Sequence, residues 1–163
     1  MVADESHGVT QAQQQRGVVL DTNLLLLLWA GRWNPKAVSQ LKCTSQFDED
    51  DYWRLEDFLC KFRTVVVTPN ILTEGSNLIR QSKFRRDLTS MLVEQIPLLE
   101  ERPLRSVEIV QTATFIPLGL TDAGIMSLAR ERWLVLTEDF DLIWRLNSEE
   151  LPVVNFNYLR SLD

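Results

Sequence analysis

Histidine, cysteine and glycine-rich loops are scarce in this chain of 163 residues. The only histidine is His7, and Cys43 and Cys60 form no CxxC pair. Zinc sites, thioredoxin-like redox chemistry and Ser–His or Cys–His catalysis therefore lack the residues that they need. The six glycines form no GxxxxGK phosphate loop. Two isolated cysteines are typical of buried thiols in a reducing cytoplasm.

Long hydrophobic runs are also missing. The densest run, residues 24–30, is far shorter than the roughly 20 residues that span a bilayer. Residues 1–16 are polar and rich in glutamine, without the apolar core of a secretory signal. We therefore expect a flexible tail at residues 1–16, a single domain at residues 17–163, cytoplasmic localisation and no membrane partner.

Positive charge is in short supply, since 17 basic residues face 23 acidic ones and the net charge is -6. This balance argues against tight nonspecific binding of nucleic acid through a generally positive surface. It does not exclude an enzyme that acts on nucleic acid, because a bound metal neutralises a carboxylate cluster locally.

Short β-rich runs alternate with helical patterns along the chain. Strands are predicted at residues 17–20, 64–68, 133–137 and 152–156. Helices are predicted from residue 24, at 50–62, 70–80, 83–95, 122–130 and 139–146, with Thr121 as the N-cap of the fifth. Residues 46–51 are expected to form a loop, and residues 101–115 have no clear pattern. The alternation predicts a three-layer α/β/α sandwich around a parallel sheet.

Four carboxylates occur in a similar local frame, in which an apolar residue and a threonine lie beside the acid. They are Asp21, Glu74, Asp122 and Asp139. Asp21 and Asp139 end predicted strands, Glu74 lies on the helix after the second strand, and Asp122 opens a helix. The presence of each acid alone can be explained by a structural role, as a helix cap, a turn residue or a solvated side chain. Because ligands bind beyond the carboxyl ends of parallel strands, we expect the four acids to share one crevice.

A shared crevice of carboxylates favours a divalent metal. Like charges raise one another's pKa and oppose folding unless a cation offsets them. Ligation by oxygen alone favours Mg²⁺ or Mn²⁺ over zinc.

The ordered set of motifs resembles the acidic motifs of PIN-domain nucleases, among which are bacterial VapC-like ribonucleases. The motifs are Asp21-Thr22-Asn23, Glu74-Gly75-Ser76-Asn77, Thr121-Asp122-Ala123 and Leu136-Thr137-Glu138-Asp139-Phe140-Asp141-Leu142. The resemblance covers about residues 17–156. It implies a metal-dependent endoribonuclease in which the four acids are catalytic metal ligands. It also implies that Asn23 and Thr137 are polar partners of the site, and that Asp139 is the functional acid rather than Glu138 or Asp141.

The resemblance implies hydrolysis of RNA phosphodiester bonds by a metal-activated water, which leaves a 5′-phosphate and a 3′-hydroxyl. Its toxin members imply an antitoxin or other protein partner and a homodimer. Residues 31–63 are longer than the corresponding part of compact toxins and contain an extra aromatic-rich helix. This departure also allows a stand-alone protein or one with a different partner.

Two further groups of residues have open interpretations. A basic cluster surrounds Phe84 and either holds RNA phosphates or forms a solvated helix face; it comprises Arg80, Lys83, Arg85 and Arg86. Trp133 and Trp144 are expected in the core. The remaining tryptophans, near the extra helix, are expected in the core or on a protein-binding surface.

Three other functional classes remain as alternatives. The first is a catalytically inactive PIN-like scaffold that binds protein or RNA. The others are a phosphatase and a response-regulator receiver. A phosphatase of this type needs a second aspartate two positions after Asp21, where the chain has Asn23. A receiver needs an acidic pair near the first strand, where the chain has Asp21 alone.

Overall fold

A five-stranded parallel sheet forms the centre of the domain. The computed structural model describes residues 16–162, so the predicted tail lies outside the described residues except for Arg16. The strands are β1 (Val18–Leu20), β2 (Val65–Val67), β3 (Glu100–Glu101), β4 (Leu134–Thr137) and β5 (Val153–Asn155). Their order across the sheet is β3-β2-β1-β4-β5, and every neighbouring pair is parallel.

The central strands are buried on both faces. In β1 and β4 every residue from Val18 to Leu20 and from Leu134 to Thr137 is buried. Continuous apolar runs of this kind are typical of strands that are covered by helices on both sides. The four predicted strands are confirmed. The fifth, β3, has only two residues, both glutamates, and this explains why no β pattern predicted it.

Helices cover the sheet in two groups. The first group consists of α1 (Thr22–Trp33), α2 (Glu49–Leu59), α3 (Pro69–Arg80) and α4 (Arg85–Gln95), which pack together. The second consists of α5 (Ser106–Ile109), α6 (Phe115–Arg130) and α7 (Phe140–Ser148). A short α8 (Phe156–Arg160) follows β5, and 3-10 turns occupy Pro35–Gln40, Lys42–Thr44 and Ile96–Leu98. The domain is thus the predicted α/β/α sandwich, and none of the described helices could cross a membrane.

Helix α1 is buried on every side. Its run of five leucines, from Leu24 to Leu28, and the adjoining Trp29 are at most 1% exposed. A helix that is apolar all round needs cover on all sides. Here α2, α3, α4 and the sheet supply it. Each fully buried leucine contributes about 1.5–3 kcal/mol, so the position of α1 and of the residue that caps it is strongly fixed.

Several local expectations were wrong. Asp48 caps α2 through a reciprocal capping box with Asp51, so this helix begins inside the segment predicted as a loop. Helix α6 begins at Phe115, and its break lies at Gly119 (φ 79°), so Thr121 is not its N-cap. Trp133 is buried as predicted, but Trp144 is 66% exposed.

Gly75 sets the distance between α3 and α1. A Cβ at this position would lie 3.0 Å from Cζ3 of Trp29, a fully buried ring. We expect Gly75→Ala to lower stability by about 1 kcal/mol, because overpacking outweighs the gain in helix propensity. In thermal unfolding the loss amounts to a Tm lower by about 3 °C.

The matched control for Gly75→Ala is Gly124→Ala, a second buried helical glycine. Its Cβ would meet Ile109 and Leu104 at 3.5 Å, an ordinary contact. This variant should keep or raise the Tm. Equal melting temperatures for the two variants would show that the packing of α3 on α1 does not depend on Gly75.

Candidate functional site

A cleft of about 520 Å³ opens where the direction of strand addition reverses. From β1 the chain adds β2 and β3 on one side of the sheet, and later β4 and β5 on the other. In open α/β sheets, ligands bind beyond the carboxyl ends of the strands at this switch point. All four predicted carboxylates line the cleft: Asp21, Glu74, Asp122 and Asp139.

Asp21 is the most deeply buried of the four acids, at 5% exposed. It follows β1 directly and is the N-cap of α1, where its Oδ1 accepts from the amide of Leu24 at 2.8 Å. Its Oδ2 accepts a hydrogen bond from the hydroxyl of Thr137. Asp21 is thus itself a helix cap. The capping bond fixes its carboxylate in a buried position within the cleft.

Thr137 links Asp21 to Asp139. While its hydroxyl donates to Asp21, its Oγ1 accepts from the backbone amide of Asp139 at 3.0 Å. Asp139 in turn caps α7, because its Oδ1 accepts from the amide of Leu142 at 3.0 Å. One fully buried hydroxyl therefore orients the acids that follow two neighbouring strands. The structure places Thr137 where a polar partner of the site was expected.

Glu74 and Asp122 come from helices on the cleft walls. Oε2 of Glu74 on α3 accepts from the hydroxyl of Thr22 at 3.1 Å. Asp122 lies on α6, three residues after the break at Gly119. The positive φ at that break favours glycine, and no atom lies within 4 Å of a Cβ built there. The backbone conformation, rather than a lack of space, accounts for the glycine.

The electrostatics of the cleft are those of crowded negative charge. Burial raises the pKa of Asp21 to about 7, against the lowering effect of its bonds from Thr137 and Leu24 and with smaller contributions from Glu138 and Asp122. The pKa of Asp122 is raised to about 6, mainly by burial and also by the charges of Asp139 and Glu74. Within residues 16–162, no lysine or arginine lines the cleft to offset these charges.

The donor chemistry of the cleft fits a hydrated divalent cation. Among the described residues, no three acidic, histidine or cysteine side chains form a ready-made metal-binding group. Mg²⁺, however, keeps several waters and is commonly held by only one or two carboxylates. Four carboxylates around a cleft of this size supply oxygen ligands either directly or through water. The raised pKa values of Asp21 and Asp122 mean that the cleft favours added positive charge.

Helix α3 contributes a polar stripe whose members were not predicted as site residues, although Asn77 belongs to one of the quoted motifs. Asn70, Thr73 and Asn77 line the cleft together with Glu74. Their spacing of three, four and seven residues places them on one helix face. These amide and hydroxyl side chains recur at helical spacing on an amphipathic helix. This pattern in the sequence could have indicated that they belong to the site.

Asn23 lines the cleft but does not contact the four acids through a hydrogen bond. Its amide donates to Oε1 of Glu138 at 3.4 Å, and the amide of Gln46 approaches the same oxygen at 3.5 Å. Burial raises the pKa of Glu138, although Glu138 does not line the cleft. Asn23 therefore connects the cleft rim to the start of α7 rather than orienting a cleft carboxylate.

The predicted basic cluster lies outside the cleft. All four of its members are exposed: Arg80 ends α3, Lys83 lies in the turn that follows, and Arg85 and Arg86 begin α4. Phe84 is half-buried, packs against Trp33 with ring centroids 5.0 Å apart, and has the Lys83 ammonium over its ring. Phe84 thus packs against the edge of the core, while binding of RNA by the cluster stays a prediction.

Replacing Thr137 by valine tests the link between the two strand-end acids. Thr137→Val keeps the shape but removes the donor to Asp21 and the acceptor for Asp139, so we expect about 1–3 kcal/mol lower stability. We also expect Mn²⁺ to bind at least about tenfold more weakly, as when other ligand-orienting groups are lost. Thermal unfolding across a MnCl₂ titration measures both effects. Thr137→Ser keeps the hydroxyl, so it should bind Mn²⁺ as the wild type does and lose only about 0.8 kcal/mol for its buried methyl. An equal loss of Mn²⁺ affinity in both variants would contradict the link.

The fold and the cleft together define an α/β sandwich with an acidic site at its topological switch point. Neither protein-family models nor curated proteins give a match to the chain.

Proposed function

We propose that the cleft is the active site of a Mg²⁺- or Mn²⁺-dependent endoribonuclease of the PIN-like kind. The observation that carries this proposal is that four carboxylates line one cleft. Among the described residues, no lysine or arginine lines the same cleft. The order of the acidic motifs along the chain supports the same proposal.

The residues of the cleft have distinct roles in this proposal. Asp21 and Asp139 are held by backbone caps and by Thr137, so they present fixed oxygens at the ends of β1 and β4. Glu74 and Asp122 face them from α3 and α6. When bound, a divalent ion would supply the charge that activates water and offsets the negative phosphate. The carboxylates hold and orient that ion, and the polar stripe of α3 offers donors and acceptors to the substrate.

An inactive scaffold is the principal alternative. In an inactive scaffold, acids whose pKa values are raised by folding would only lower the stability of the folded state at neutral pH. Raising the pKa of a carboxyl by one means that its charged form has lost about 1.4 kcal/mol relative to its protonated form. The raised pKa values of Asp21 and Asp122 therefore favour a site that binds a cation during its function.

The direct test is cleavage of a 5′-labelled single-stranded RNA by the full chain. We expect cleavage with Mg²⁺ or Mn²⁺, none with excess EDTA, and products that end in a 5′-phosphate and a 3′-hydroxyl. Mn²⁺ should also raise the Tm. A chain that neither cleaves RNA nor gains thermal stability with Mn²⁺ would be a scaffold, and the proposal would be wrong.

A further inference from the structure

Two large aromatic side chains are exposed on the helix that begins immediately after the cleft residue Asp139. Phe140 is 72% exposed and Trp144 is 66% exposed, both on α7, the helix that Asp139 caps. The opposite face of the same helix is buried through Leu142, Ile143 and Leu146. The core therefore has its own anchors on α7, and packing of the described residues does not explain the aromatic pair.

The spacing of the pair suits an extended polymer chain that leaves the cleft along α7. Residues four apart lie on the same face of a helix, about 6 Å apart along its axis. Phe140 immediately follows a cleft carboxylate, and Trp144 lies one turn further on. A polymer whose backbone occupies the cleft would thus meet the two rings one after the other.

The chemistry around Trp144 fits a nucleic acid. The guanidinium of Arg145 lies 5.7 Å from the centroid of the Trp144 ring. Aromatic faces for bases combined with a nearby cation for phosphates are the usual elements of sites for single-stranded nucleic acid. A duplex keeps its bases stacked internally, so only unpaired bases can use these rings.

We infer that Phe140 and Trp144 form a stacking platform that binds unpaired bases of a single-stranded RNA next to the acidic cleft. The inference rests on the proposed function, because it assigns the substrate class of the same site. It makes the pair substrate-binding residues, whereas the four carboxylates perform the chemistry.

The test measures steady-state cleavage of a single-stranded oligoribonucleotide with Mn²⁺ by the full chain. Phe140→Ala and Trp144→Ala should each raise KM at least about fivefold while kcat changes little, the lower end of the effect of losing one stacked base. Trp144→Phe should restore most of the affinity. Val93→Ala, at a position 75% exposed on α4, is the matched surface control and should leave both constants unchanged.

Binding without cleavage separates this inference from the proposed function. The same oligonucleotide is titrated with the wild-type chain and the variants in EDTA and followed by anisotropy, with an RNA duplex alongside. Binding that prefers the single strand and requires the pair supports the platform even if no RNA is cleaved, in which case only the proposed function fails. Normal KM and normal binding in both alanine variants would overturn the platform while cleavage stands. Loss of self-association in those variants, with RNA binding unchanged, would identify a protein interface and would equally overturn it.

Discussion

We expect single substitutions of the four cleft acids each to reduce Mn²⁺-dependent RNA cleavage at least about 100-fold. The substitutions are Asp21→Asn, Asp122→Asn, Asp139→Asn and Glu74→Gln. Loss of one carboxylate removes both a ligand oxygen and the negative charge that retains the cation. Groups that only orient ligands are already worth about 10–100-fold, so a ligand itself should be worth more. The measurement is single-turnover cleavage of a labelled RNA at saturating Mn²⁺.

The substitutions at the strand ends should leave the fold intact. Asparagine is as good an N-cap as aspartate, so Asp21→Asn and Asp139→Asn can keep their bonds to the amides of Leu24 and Leu142. Asp141→Asn is the matched control, since Asp141 is exposed two residues after Asp139 and does not line the cleft. It should cleave as the wild type does. Wild-type cleavage by both Asp21→Asn and Asp139→Asn would rule out the proposed mechanism.

Combining two of these substitutions should lower the rate little beyond the single change. Catalytic groups that act as one unit give strongly non-additive losses. If Asp21 and Asp139 serve the same ion, the double variant should approach the slower single variant rather than the product of the two effects. Fully multiplicative losses would indicate that the two carboxylates act independently.

The strand-end acids could be predicted from sequence because their placement is set locally. Asp21 and Asp139 each follow a short apolar run and precede an apolar helix, so strand, cap and helix are adjacent in the chain. The sheet direction then brings both acids to one edge. The positions of Glu74 and Asp122 in the cleft depend also on how α3 and α6 pack. For these two acids, the order of the motifs supplied only the expectation that they belong to the same site.

The rest of the site depends on tertiary contacts that no local pattern encodes. A short helical segment at residues 115–118 precedes the predicted helix, and the non-helical backbone of Gly119 separates the two. Asn70, Thr73 and Asn77 repeat at helical spacing in the sequence, but only the packing of α3 shows that this face lines the cleft. The spacing of Trp144 resembled that of a core residue, yet the tertiary packing of α7 turns this ring outward.

Asp21→Asn should stabilise the metal-free protein at pH 8, although we expect the same substitution to slow cleavage. The pKa of Asp21 is about 7 in the folded chain, against an ordinary value of 3.8. Between these values the folded state binds more protons than the unfolded state, so stability falls as pH rises through this window. Above pH 7 the full penalty remains. We expect the variant to be more stable than the wild type by about 1–3 kcal/mol at pH 8, and equal to it near pH 4.

Denaturant unfolding of both chains in EDTA from pH 4 to 8 measures this difference. Asp122, whose pKa is raised to about 6, should leave the variant with a weaker decline that ends near pH 6. Asp141→Asn should follow the wild-type curve. Addition of Mn²⁺ at pH 8 should stabilise the wild type more than Asp21→Asn, because the ion offsets the charge that the variant no longer carries. A variant that is less stable than the wild type at pH 8 would mean that the bonds from Leu24 and Thr137 outweigh the buried charge. The site would then be held together without a cation, and its carboxylates would be structural.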